Sequence, residues 1–162
     1  MGACQPAKRA KEMPHSYSTL LTHVVFSTKD RVRSMDASIR PDLFAYMGGI
    51  VREVGGVARL INGTEDHVHM LASLPADIAI AECLRIVKTN SSRWVHQKFG
   101  NHRNFAWQAG YGAFSVSASN EKQVIRYIRD QERHHRRMTF QEEFIALLRK
   151  HGIAFEERFL WK

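Results

Sequence analysis

Residues 57–74 read VARLINGTEDHVHMLASL, and this stretch decides the fold. Val57–Asn62 is β-rich, Gly63-Thr64-Glu65-Asp66 is a turn, and His67–Leu74 is a further strand that Pro75 ends. A hairpin is expected. Before it, Thr19–Thr28 is mostly apolar and reads as a buried strand. Asp36 or Ser38 then caps a helix carrying Ile39, Leu43, Tyr46, Met47, Ile50 and Val54, which Gly55-Gly56 stops. After the hairpin, a helix runs from about Ile78 to Phe99, with Ile80, Leu84, Val87 and Trp94-Val95 on its apolar side. A loop at Asn101–Asn104 leads to a strand at Tyr111–Ser117. Ser119 or Asn120 caps a helix to about Arg137. An amphipathic segment, Phe140–Lys150, and an extended tail through Trp161 complete the chain. The order β-α-β-β-α-β-α predicts an α+β fold: a ferredoxin-like, RRM-like antiparallel sheet with helices on one face and an appended helix.

Composition narrows the class. The 162 residues, 44% of them apolar and 25% charged, suit one globular domain with its own core. Residues 1–13 (MGACQPAKRAKEM) are small, basic and aperiodic and read as a disordered leader, with Met13 an alternative start. The expected organisation is that leader, a single domain over 14–150 and a tail over 151–162. Cys4 and Cys83 form no CxxC, so neither a disulfide framework nor a thiolate metal site is expected. The run Leu20–Phe26 is too short to span a membrane. A cytoplasmic protein, associated with the nucleoid when bound to DNA, is expected.

Charge points to a polyanion. Lys plus Arg is 24 and Asp plus Glu is 16, hence a net charge of 24 − 16 = +8. From Cys83 to Asn120 there is no carboxylate, yet Arg85, Lys88, Arg93, Lys98 and Arg103 all lie there. Arg126, Arg129 and Arg133 recur at i, i+3, i+7 on the following helix. Basic runs are often only solvated faces, but an acid-free stretch beside a candidate site fits phosphate contacts. Arg85, Lys88, Arg93, Arg126, Arg129 and Arg133 are therefore the candidate DNA-binding residues.

Two constellations carry chemistry. In His67-Val68-His69 the strand alternation turns both imidazoles to one face and Val68 inward, an arrangement that suits two ligands on one metal ion. Two histidines on a solvated sheet face is the plainer alternative. Tyr127 and Gln131, spaced i,i+4, lie one above the other on their helix. Tyr127 also neighbours Val124 and Ile128 at core spacing, so simple packing is an alternative there. His134-His135 at the helix end read as structural partners of the helix dipole, although His135 continues the Tyr127–Gln131 face. Metal ligands, a presented phenol and a basic surround are the components of phosphoryl transfer from a nucleic-acid backbone.

Asp66-His67-Val68-His69-Met70-Leu71 resembles the His-hydrophobic-His (HUH) signature, and Val124–Gln131 (VIRYIRDQ) resembles the single-tyrosine helix of insertion-sequence-200-like transposases. The resemblance runs from about Tyr17 to Phe144 and includes residues 88–94 (KTNSSRW) and 105–114 (FAWQAGYGAF). It implies His67, His69 and Gln131 as ligands of Mg2+ or Mn2+, and Tyr127 as a nucleophile that forms a 5′-phosphotyrosine and frees a 3′-hydroxyl. It further implies single-stranded DNA with imperfect hairpins as substrate and a homodimer; no membrane partner is expected. In such a dimer the histidines of one subunit meet the tyrosine helix of the other. The small and polar linker Ser115–Asn120 is consistent with a helix that leans to either subunit. A domesticated relative acting on chromosomal palindromes, or a non-catalytic RRM-like binder, are the alternatives.

Overall fold

A computed structural model describes residues 17–161; the expected leader, 1–13, lies outside them. Four strands form one antiparallel sheet in the order β2-β3-β1-β4, with β1 at Leu21–Ser27, β2 at Val57–Gly63, β3 at His67–Ser73 and β4 at Gly112–Ser115. This is the expected ferredoxin-like α+β architecture. Strand β1 pairs with both β3 and β4, and all seven of its residues are buried. A central strand covered on both faces reads as a continuous run rather than an alternation, which is what Leu21–Ser27 looks like.

Side-chain parity sorts two faces. Val24, Phe26, Val68, Met70 and Ala72 share a core with Leu43, Met47, Ile50 and Val51 of α1 (Arg40–Glu53) and with Cys83, Leu84, Val87 and Val95 of α2 (Ile80–Lys98). On the opposite face, Leu21 and Leu71 pack against Ile128, and Val25 and Phe114 pack against Phe140, Leu147 and Leu148. Both faces are therefore covered. The histidine face is roofed by α3 (Glu121–Arg129), α4 (Gln131–His134) and α5 (Phe140–Lys150). His67 and His69 are fully buried, which excludes the alternative of a solvated sheet face.

Three details depart from the sequence reading. The Glu121–Arg137 helix is interrupted at Asp130, where the backbone leaves helical values (φ −90°, ψ 17°). Asn62 Nδ2 donates to the carbonyl oxygens of Ile128 (2.8 Å) and Arg129 (3.2 Å), capping α3 from β2 at this point. Helix α1 begins at Arg40-Pro41, after a turn in which Asp36 accepts from the Ser38 amide at 2.8 Å. The tail is not simply extended: α6 (Glu157–Leu160) forms in it, and Phe155, Leu160 and Trp161 pack against the Val25–Phe114 core.

Two glycines are required by close approach. A Cβ at Gly63 would stand 2.2 Å from the His67 carbonyl oxygen, so the hairpin that aims His67 closes only without a side chain there. A Cβ at Gly112 would stand 2.8 Å from the Phe144 ring, so β4 leaves room for α5 to lie against it.

Candidate active site

The β1–β3 register puts Val25 opposite His69 and Ser27 opposite His67, so His23, two residues before Val25, falls on the same face as both histidines. His23 Nε2 stands 2.9 Å from His69 Nδ1. His67 Nδ1 stands 2.7 Å from Asp66 Oδ1, and Thr64 Oγ1 donates to the same oxygen at 2.9 Å. A carboxylate only accepts, so His67 Nδ1 carries the proton, and in the neutral ring Nε2 then presents a lone pair. This is the carboxylate–histidine pairing that commonly orients a ligating imidazole.

The break at Asp130 lets α4 point Gln131 down at the sheet. Gln131 is fully buried, with Oε1 at 3.3 Å from His67 Nε2. Its Nε2 donates at 3.1 Å to Glu143 Oε1, which fixes the amide orientation. Tyr127, one turn earlier on α3, donates its hydroxyl to the same oxygen of Glu143, and its ring lies edge-on to His69 at 5.9 Å between centroids. Glu143 Oε2 faces the imidazoles: 2.7 Å from His135 Nε2, 3.3 Å from His69 Nε2 and 3.7 Å from His67 Nε2. The His69 approach does not form a hydrogen bond. Among the described residues, His69 Nε2 is the one buried side-chain polar atom left without a hydrogen-bond partner. His67, His69, His135 and Glu143 each offer a ligand atom, and these atoms lie within 4.8 Å of one another.

Electrostatics follow from burial. Burial lowers His69 to about 4, against the opposing pull of Glu143, and lowers His23 to about 3, helped by His69. Burial, and then the neighbouring Glu143 carboxylate, push the Tyr127 hydroxyl above its ordinary value. Burial alone would raise Glu143, but the contacts of His135, His69 and Tyr127 outweigh it and hold the carboxyl below its usual range. His135 is raised, because its bond to Glu143 exceeds its own desolvation. The site thus holds an ionised carboxylate beside the neutral His69 imidazole and a protonated phenol.

The four residues that the sequence singles out as chemical, His67, His69, Tyr127 and Gln131, meet within one chain in a buried cluster around Glu143. The sequence does not single out Glu143, His23 or Asp66, and it reads His135 as a structural residue although His135 continues the Tyr127–Gln131 face. Glu143 sits in a segment that reads only as amphipathic, and His23 sits inside an apolar strand. The available signals are that helical spacing for His135 and, for His23, parity along β1, which needs the strand register to be used.

The basic residues divide. Arg126 and Arg133 line a cleft beside Tyr127 together with Arg137 and His134, while Arg129 is exposed outside that lining. A second cleft beside Asp66 and His135 carries Arg31, Arg33, Arg40 and Arg136. Arg85 and Arg93 lie exposed on α2, on the far side of the sheet, with Arg85 paired to Glu82 at 2.6 Å. Lys88 is a brace: its ammonium donates to the carbonyls of Gln108, Ala109 and Gly110 at 2.8–3.1 Å and lies over the rings of Phe26 and Tyr111. Burial lowers Lys88 to about 8. No described helix is long and apolar enough to cross a membrane.

Known structures share this architecture. A candidate transposase of Deinococcus radiodurans R1 matches with a TM-score of 0.59 at 20% identity, over 75% of this chain and 98% of the other. A REP-associated tyrosine transposase bound to a REP hairpin matches with a TM-score of 0.54 at 14% identity, over 75% and 72%. No curated protein gives a significant sequence match. The family described as "Transposase IS200 like" matches residues 16–131, from the start of the described chain through β3 with its two histidines to Gln131. With most of the chain and all four of these residues inside the match, the protein belongs to the IS200-like transposase family.

Proposed function

We propose that this transposase cleaves and rejoins single-stranded DNA at hairpin-flanked sites, with Tyr127 as nucleophile and a divalent cation, Mg2+ or Mn2+, held by His67, His69 and Gln131. One observation carries the reading: the Tyr127 hydroxyl and the inward atoms of all three other residues cluster around the Glu143 carboxylate beside an arginine-lined cleft. The residues fit a cation. In the neutral His67 ring the Nε2 lone pair and the Gln131 amide oxygen, 3.3 Å apart, are both acceptors, and His69 Nε2 is orphaned. Atoms of this kind converge without a proton to share, and a cation relieves that conflict. When bound, such an ion draws charge from a phosphate oxygen and lowers the cost of the transition state.

The chain supplies the rest. The Tyr127 oxygen bonds to phosphorus as the bond from phosphorus to the 3′ oxygen breaks, and the phenolic proton ends on that 3′ oxygen. The products are a 5′-phosphotyrosine and a free 3′-hydroxyl, and reversal by another 3′-hydroxyl rejoins the strand. Glu143 and the α3 turn hold the phenol towards the histidines. Arg126, Arg133 and Arg137 are suited to the strand's phosphates. An RRM-like binder stacks bases on an open sheet face. Here that face is buried under α3–α5.

The REP-associated transposase of similar fold holds a REP hairpin, so hairpin-bearing single strands are the substrate to test first. With divalent metal, the wild-type protein is expected to form a covalent adduct that survives denaturing gels. Tyr127→Phe deletes one hydroxyl and keeps the ring, so folding and DNA binding should persist while the adduct vanishes. An undiminished adduct in that variant would refute the assignment.

A further inference from the structure

Helix α5 lies beyond the stretch that matches the family, yet it drives a charged group into the centre of the site. Glu143 is 1% exposed and its two oxygens face different partners. Oε1 takes the hydroxyl of Tyr127 and the amide of Gln131, while Oε2 faces three imidazoles. We infer that Glu143 is itself a metal ligand, making the site a histidine–carboxylate set that selects Mn2+ over Mg2+ and ties the cation to the nucleophile through one carboxylate. The inference rests on the reading of His67 and His69 as ligands.

The spacing supports it. Two donors each about 2.1 Å from one ion, at tetrahedral or octahedral angles, stand roughly 3.0 to 3.4 Å apart. Glu143 Oε2 is 3.3 Å from His69 Nε2, and Gln131 Oε1 is 3.3 Å from His67 Nε2. The contact of Glu143 Oε2 with His67 Nε2, at 3.7 Å, needs only a small contraction. The unpartnered atom of the site, His69 Nε2, is the one facing Glu143 Oε2 without a hydrogen bond between them. A carboxylate that served only as an acceptor for Tyr127 and His135 would leave that nitrogen unexplained. His135 is already bonded to Oε2 at 2.7 Å and would steady the ligating oxygen. Selectivity follows from donor type. Mg2+ favours oxygen and gives up its waters reluctantly, whereas imidazole-rich sets favour transition ions.

The test uses the full chain stripped of metal, Mn2+ alone as probe, and the electron-paramagnetic-resonance signal of free Mn2+ as readout. Wild type should bind one Mn2+, and Mg2+ should displace it only at tenfold or greater excess. Glu143→Gln, nearly isosteric, should bind Mn2+ at least tenfold more weakly, and the double change His67→Ala, His69→Ala should abolish binding. If Glu143→Gln binds within twofold of wild type while the double variant does not bind, the role of Glu143 is overturned and the histidine reading stands. If the double variant binds like wild type, the histidine reading falls as well. Should Glu143→Gln misfold by near-ultraviolet circular dichroism, wild type labelled with 13C-carboxyl glutamate gives the answer. Electron-nuclear double resonance on its bound Mn2+ should detect a ligating carboxylate carbon, and the absence of that coupling overturns the inference.

Discussion

His69 and His23 stack at 5.1 Å between ring centroids on a buried strand face. Their neutrality in the fold makes stability depend on pH. An unfolded histidine takes up a proton near pH 6.5, but in the folded chain His69 does so only at about 4 and His23 at about 3. Stability from these two rings is fully present above pH 6.5 and is lost as pH falls, because the unfolded chain then binds more protons. His135 acts with the opposite sign, but its stabilisation is fully present below pH 6.5 and is lost only as pH rises through its raised value. Between pH 6 and 4.5 the unfolding free energy of the metal-free protein, read from urea titrations, should therefore drop steadily, by up to about 1.4 kcal/mol per pH unit for each of the two histidines. A flat profile in that window would contradict their burial as neutral rings.

Helix α5 carries Glu143 and owes its start to Thr139. The Thr139 hydroxyl accepts from the Glu142 amide at 3.3 Å, and the Glu142 carboxylate accepts from the Thr139 amide at 2.8 Å, a reciprocal capping box. Phe140, Leu147 and Leu148 then bury the inner face against Val25 and Phe114. Thr139→Ala removes half of the box and should cost about 1 kcal/mol, or about 2–4 °C in Tm, measured by thermal melting. A melting temperature equal to wild type would mean that packing alone holds α5 in register. At this scale the break in the Tyr127 helix also matters. Spacing put Tyr127 and Gln131 on one face, but it is Asn62, on a strand more than sixty residues earlier, that ends α3 and frees Gln131 to reach His67.

For the whole molecule, the open issue is which chain supplies the tyrosine. The family resemblance implies a homodimer with shared sites. In this chain Tyr127 packs over its own histidines, and Ile128 beside it is fully buried against Leu21 and Leu71. The linker 116–120 between β4 and α3 is short, extends at most about 18 Å, and is still bonded to β1 through the Val116 amide (2.8 Å to the Leu21 carbonyl). We therefore expect each subunit to hold a complete site. Mixing Tyr127→Phe with the double variant His67→Ala, His69→Ala should restore no adduct on hairpin DNA, even where co-purification shows that the two chains associate. Recovery of cleavage in the mixture would instead establish shared sites.

Local chemistry was enough for much of this. Strand alternation, Gly and Pro punctuation and helical spacing depend on near neighbours, so the β-α-β-β-α-β-α order, the paired His67 and His69, and the Tyr127–Gln131 pair were legible in the chain itself. Only tertiary structure decided what lies over the histidines. The register of β1 on β3 put His23 behind His69, and the packing of α5 through the space left at Gly112 delivered Glu143 from a segment with no catalytic signature. It also separated the arginines that line the cleft beside Tyr127 from Lys88, which braces a loop, and from Arg85 and Arg93 on the far side of the sheet. The physical reason is range. Propensity and periodicity act over a few residues, whereas the contacts that join β1, β3 and the covering helices in this site link residues 46 to 76 positions apart, which are neighbours only after the sheet and its helices have packed.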